Sequence, residues 1–156
     1  MLIRGFSNTL LQRMFEGGKT NLLIVDAIND RVKYGSHTSW GCGFAVGTLT
    51  VDTDGKVYAC HRLCSNKDFL LGSVETGIDH NKATVLRERT NVNFITGCRS
   101  CWARYYCSAG CVAENYEASG SISLSSFQQC YLYKKLIEAA IEKRLIDRSQ
   151  KTEQNV

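Results

Sequence analysis

The chain has no proline among its 156 residues, an unusual absence for which the sequence offers no physical account. It also lacks any apolar run approaching the ~20 residues of a membrane-spanning helix. Net charge is only +4, from 19 basic and 15 acidic residues, too small a bias for the basic stripe of a nucleic-acid binder. No serine–histidine–acid constellation and no phosphate loop stand out, so hydrolase and nucleotide chemistry have no signature here. The segment Met1 to Phe15 carries only Arg4 ahead of a broken apolar stretch, with no small-residue cleavage site after it, and does not read as a secretory signal. One domain is expected at this length. The hydrophobic content of 44% permits a core.

What the chain does have is cysteine. Eight are present, and four of them form a run of C-x2-C-x5-C-x3-C: Cys98, Cys101, Cys107 and Cys111. Cys130 follows after a gap. Upstream, Cys42 is followed by twelve residues, Gly55, four more residues and Cys60, and Cys64 completes the set. A disulfide framework needs an oxidising compartment, which the N-terminal segment does not signal. Unconnected structural cysteines would not gather four within fourteen residues. Thiolates that ligate metal must converge on one point, and short fixed spacings on turns achieve that. Metal or cluster ligation is therefore the expected role, with thiolates enough for two four-cysteine sites. Spacing alone leaves zinc and iron–sulfur open, since C-x2-C serves both. A zinc ribbon usually repeats C-x2-C, and this chain has it once. With so many ligands, metal is expected to supply part of the folding energy of a small core. Reducing, cytoplasmic conditions suit such thiolates.

The pattern between the cysteines predicts a small α+β fold. Leu2, Phe6, Leu10 and Met14 recur every fourth residue and predict an amphipathic helix over Met1 to Glu16, stopped by Gly17-Gly18. Leu22, Leu23, Val25 and Ile28 predict a second helix over about Asn21 to Asp30. Gly47 to Ala59 reads as a β-hairpin: Leu49 and Val51 alternate with threonines, Asp54-Gly55 makes the turn, and the return strand delivers Cys60. Cys98 to Cys111 reads as a compact loop with helical turns. Trp102, Tyr105 and Tyr106 could shield a cluster there or simply pack the core. Arg104 could face cluster charge, pair with a carboxylate or be solvated. Phe127 to Ile146 is the clearest helix, with Leu132, Leu136, Ile137, Ala140, Ile141 and Leu145 on its buried face and Cys130 on its first turn. His61 is a possible substitute ligand, whereas His37 and His80 lie in polar surroundings.

The whole series, C-x12-G-x4-C followed by C-x2-C-x5-C-x3-C and a last cysteine, resembles the SPASM domain, the auxiliary-cluster module of many radical S-adenosylmethionine enzymes. The flanking text "CGFAVGTLTVDTDGKVYACHR", "FLLGSV" and "CRSCWARYYCSAGCVAENY" carries the same resemblance. The last segment is most similar to maturases of ribosomally made peptides, including those that form thioether cross-links. The resemblance spans about Trp40 to Ile146. It implies a helical linker over 1–39, a SPASM-like domain over 40–146 and a polar tail over 147–156. It also implies two auxiliary [4Fe–4S] clusters. Cys42, Cys60 and Cys111 would hold the first, and Cys98, Cys101, Cys107 and Cys130 the second. Family members vary in the fourth ligand of the first cluster. Cys64 is available for it, or is a small buried apolar residue.

One departure shapes the functional expectation. The C-x3-C-x2-C triplet that holds the S-adenosylmethionine cluster in the barrel of these enzymes is absent from the sequence, and a barrel needs at least ~200 residues. The expectation is an auxiliary [4Fe–4S] domain of a peptide maturase, acting in electron relay or peptide-substrate binding and not a complete enzyme alone. S-adenosylmethionine would enter only through a barrel domain or subunit. Expected partners are a peptide or protein substrate and such a barrel, with no nucleic acid and no membrane. The rival expectation is a non-catalytic zinc or iron–sulfur interaction module.

Overall fold

The computed structural model describes Arg13, Thr20 and residues 22–153. The helix expected over Met1 to Glu16, with its apolar stripe, lies outside the described residues. The protein is a small α+β fold with one four-stranded antiparallel sheet. Its contacts divide into two compact units, residues 1–37 with 131–156 and residues 38–130. All eight cysteines fall in the second.

In the first unit, helix α1 runs Leu23–Tyr34, starting and ending later than the periodicity suggests. The Asp26 carboxylate accepts hydrogen bonds from the Thr20 backbone N–H and hydroxyl, both at 3.0 Å, which fixes the helix entry. Gly35 closes it in the left-handed conformation. Val25 and Ile28 are buried. The last helix, α5, spans Phe127–Glu153. Tyr133, Leu136, Ile137, Ala139 and Ala140 are buried along it, while Leu145, expected inside, is 61% exposed. Much of the segment expected as a polar tail is helical, because nothing breaks the backbone there. Lys143 pairs with Asp147 one turn on at 3.0 Å.

The second unit is built on the hairpin. Strand β1 (Thr50–Val51) pairs with β2 (Lys56–Tyr58), setting Thr50 opposite Tyr58 and Val51 opposite Val57. The Asp52 carboxylate shapes the turn by accepting from the N–H groups of Asp54 and Lys56 at 3.0 and 2.9 Å. Strand β3 (Leu70–Ser73) adds to β2 and β4 (Gly77–Ile78) to β3. Gly72, within "FLLGSV", has φ +148°, and a Cβ on it would stand 2.0 Å from the Gly77 carbonyl oxygen. Only glycine lets β4 come that close. Three short helices follow from signals weaker than a long stripe. Helix α2 (His80–Glu88) is capped by Asp79, whose carboxylate accepts from the Lys82 N–H at 2.9 Å. Helix α3 is the single turn Arg104–Cys107, and α4 spans Val112–Ser119.

The core of this unit gathers Phe44, Ala59, Leu63, Phe69, Leu71, Leu86, Val112 and Ile122, with Cys60 and Cys111 packed against it. Phe69 meets Tyr116 edge to face at 4.9 Å. A smaller cluster joins Val92, Ile95, Cys98 and Ala109. Cysteine side chains thus form part of the wall of both cores. Among the described residues no helix is long and apolar enough to cross a membrane.

Candidate metal centre

Cys98, Cys101 and Cys107 ride on successive tight turns. The Cys98 N–H donates to the Ile95 carbonyl, Cys101 to Cys98 and Arg104 to Cys101, at 3.1, 2.9 and 3.3 Å. Thr96 forms a β-bridge with Leu124, which brings this loop beside the segment leading into α5 and its Cys130. The thiols of Cys98, Cys101 and Cys130 all act electrostatically on Cys107. Burial first, then Cys130, Cys98 and Cys101, push the Cys107 thiol up to about 12. Four thiolates packed so closely repel one another unless a cationic centre compensates them.

The other four cysteines approach through shared neighbours. Cys60 and Cys64 flank one 3-10 turn, His61–Leu63, closed by the Cys64 N–H donating to the His61 carbonyl at 3.3 Å. From that turn Arg62 donates to the Cys111 sulfur at 3.4 Å and to Glu117 at 2.7 Å. Burial acts to lower the Arg62 pKa, but the Cys111 thiolate and Glu117 outweigh it and raise it. The Cys64 thiolate is felt by Tyr58, whose pKa is raised by burial first and by Asp52 next. Cys42 is exposed and is placed through its neighbour: a Cβ on Gly41 would lie 2.9 and 3.0 Å from the carbonyl oxygens of Ser108 and Gly110. Arg87 donates to the Cys42 carbonyl and covers the Trp40 ring at 5.3 Å, which pins that segment.

The turn between Cys107 and Cys111 is strained. Ser108, Ala109 and Gly110 are consecutive left-handed residues, with φ 54°, 63° and 70°. Non-glycine residues held there cost about 1–3 kcal/mol each. This reversal sends Cys111 away from the run that precedes it. A buried polar network holds it. Gln129, next to Cys130, accepts from the Cys111 N–H at 2.7 Å and donates to the Cys111 carbonyl at 3.2 Å. Asn115 donates to the Ala109 carbonyl at 2.9 Å and accepts from the Ser126 N–H at 2.8 Å.

The four residues Cys98, Cys101, Cys107 and Cys130 are therefore brought into one neighbourhood. Cys111 is joined to the Cys60–Cys64 turn by Arg62, and Cys42 lies along the strained turn. No disulfide joins any of the eight. Among the described residues no three His, Cys, Asp or Glu side chains are arranged to hold a metal ion. A single tetrahedral zinc with Zn–S of ~2.3 Å would draw its sulfurs to within about 4 Å of one another. The Cys98, Cys101 and Cys130 thiols stand within electrostatic range of Cys107, and a donor set of four thiolates suits a tetrahedral zinc or an iron–sulfur cluster alike.

The remaining candidates are placed as follows. His61, His37 and His80 are exposed. Trp102 is 54% exposed and so does not fill the core. Tyr105 donates to Asn93 at 3.1 Å and lies against the smaller core. Arg104 donates to the Arg99 carbonyl and covers the Tyr105 ring, and its buried Nε has no hydrogen-bond partner. That leaves an unsatisfied donor in the loop of Cys101 and Cys107. Arg62, Gln129 and Asn115 went unseen in the sequence, because arginine, glutamine and asparagine carry no spacing signal of their own. The one available hint for Arg62 was its place between Cys60 and Cys64.

Compared with protein-family models and with curated proteins, the chain matches none.

Proposed function

We propose that residues 38–130 form an auxiliary iron–sulfur domain of a radical S-adenosylmethionine peptide maturase, holding two [4Fe–4S] clusters. Cys98, Cys101, Cys107 and Cys130 hold one. Cys42, Cys60, Cys64 and Cys111 hold the other. The observation that carries the reading is the gathering of Cys130, remote in sequence, with Cys98, Cys101 and Cys107. The strained turn that redirects Cys111 towards Arg62 and the Cys60–Cys64 turn adds to it. Bound clusters would supply electron relay, and an iron for substrate binding only where Cys64 gives up its place on the first cluster. The chain's own residues set the surroundings: Arg62 places a cation at the Cys111 sulfur, Arg104 offers an unpaired donor, and Gln129 fixes the Cys111 peptide. S-adenosylmethionine chemistry belongs to a barrel domain or subunit, and the substrate is a peptide or protein. A reducing, cytoplasmic compartment suits these thiolates.

Anaerobic reconstitution followed by iron and sulfide analysis tests this. About eight irons per chain, with broad near-visible absorption, are expected from two four-iron clusters. Full folding on zinc with no uptake of iron overturns the proposal in favour of a zinc interaction module.

A further inference from the structure

A cavity of about 500 Å³ opens in the 38–130 unit, and no cysteine lines it. That size lies within the ordinary ~300–1,000 Å³ range of ligand pockets. Three segments build it: the 3-10 turn Lys67–Phe69, helix α2 with Arg89, and the end of α4 with Ser121 and Ile122. Its floor is apolar, from the buried side chains of Phe69, Leu86 and Ile122, with the Tyr116 ring against Phe69. Its charged lining is lopsided. Lys67, Lys82 and Arg89 face Asp68 as the single acid.

The cations are uncompensated. Among the described residues, none of the three side chains forms an ion pair, whereas Lys56, Arg62, Lys135 and Lys143 all do. The Asp68 carboxylate is engaged by the Tyr116 hydroxyl at 3.5 Å. The mounts are fixed: Asp79 caps the helix at Lys82, and the Arg89 carbonyl accepts from the Ser123 hydroxyl at 3.2 Å. Lys82 and Arg89 are seven positions apart, two turns along one helix face, or roughly 10 Å at 1.5 Å per residue. That separation matches carboxylates two to four residues apart on an extended chain at about 3.3 Å per residue.

We propose that this cavity binds an acidic peptide segment, with Lys67, Lys82 and Arg89 pairing with its carboxylates and the exposed Val85 meeting an intervening apolar side chain. It deepens the maturase reading by naming a substrate chemistry and rests on that reading for the claim that the peptide is a substrate.

The test uses the full chain and two fluorescent-labelled probes, acetyl-Glu-Leu-Leu-Glu-Tyr and its analogue with glutamine in place of both glutamates. The acidic probe should bind at least tenfold more tightly, and its affinity should fall with added salt. Lys82→Glu with Arg89→Glu should weaken it about tenfold or more, at unchanged iron content and circular dichroism. If that pair misfolds, Lys82→Gln with Arg89→Gln takes its place and should show a smaller loss in the same direction. Binding of the glutamine analogue within twofold overturns the proposal, as does a folded variant with unchanged affinity. So does tighter binding of inorganic phosphate or of a single-stranded oligonucleotide. Iron analysis of the same sample separates the two claims. Selective peptide binding without iron leaves this site standing and removes the maturase reading; iron without selective binding does the reverse.

Discussion

Single residues in this chain act through the hydrogen bonds they close. The Asp52 carboxyl shows the sign of the pH effect. Burial raises its pKa, but the N–H groups of Lys56 and Asp54, the Tyr58 hydroxyl and the Lys56 charge outweigh that and hold it below 3.8. Folding favours the ionised form, so the turn's stabilisation is complete above the usual carboxylate range and is lost as pH falls through the lowered value. Asp52→Ala should lower stability at neutral pH and change it little at the acid end, where the wild-type side chain has also lost its charge. Urea midpoints across that range check it. Gln129 is the second case. Gln129→Leu leaves the Cys111 N–H without its 2.7 Å partner, a loss of about 1–3 kcal/mol for that unsatisfied group, while the Cys111 carbonyl loses its 3.2 Å donor and keeps the Asn115 N–H at 3.0 Å. Gln129→Glu keeps an acceptor and should fall between. Iron retention under mild chelation should drop in the order wild type, Glu, Leu, and an unchanged retention in Gln129→Leu would mean the clamp has no bearing on the cluster.

At the scale of elements, what the sequence made legible was what repeats or is spaced. The hairpin followed from alternation around Asp54-Gly55, and the long helix from its apolar stripe. The four-cysteine run was legible as turns because each short gap forces one. Helices α2 and α4 were not, since elements of nine and eight residues hold little more than two turns and show no stripe that stands above chance. The Asp79 cap was a usable signal for α2. The reversal after Cys107 had no local mark, because Ser108 and Ala109 are poor markers of left-handed backbone; only the resemblance set Cys111 apart from Cys98, Cys101 and Cys107. The same contrast ranks the cysteines. Cys98 is 6% exposed and belongs to the smaller core, on a loop whose only continuous supports are tight turns. Cys64 ends a single 3-10 turn and is partly exposed. Cys98→Ala or Cys101→Ala should therefore cost more iron and more folded signal than Cys64→Ala. Equal iron loss from Cys64→Ala and Cys98→Ala would overturn the ranking.

At the scale of the molecule, all eight cysteines belong to one compact unit, and that unit also carries the basic cavity. Under the proposed function the unit stores electrons or receives a peptide, and neither task generates a radical. Radical generation needs a cluster held by three cysteines, with one iron left for the methionine group, and no C-x3-C-x2-C triplet occurs in the chain. Two C-x3-C pairs come near it, Cys60–Cys64 and Cys107–Cys111, but the third position is Lys67 after the first and Glu114 after the second. Reconstituted, dithionite-reduced protein incubated with S-adenosylmethionine should form no 5′-deoxyadenosine above the rate of a cysteine-free control. Multiple turnovers by the purified chain would show that one of the two clusters exposes an iron to S-adenosylmethionine, and the division of labour argued above would fall. Turnover only after addition of a separate barrel protein would support a split enzyme. Leu2, Phe6, Leu10 and Met14 would then be the first residues to test as its docking stripe. Charged substitutions at Phe6 and Leu10 should abolish that rescue while both clusters keep their iron.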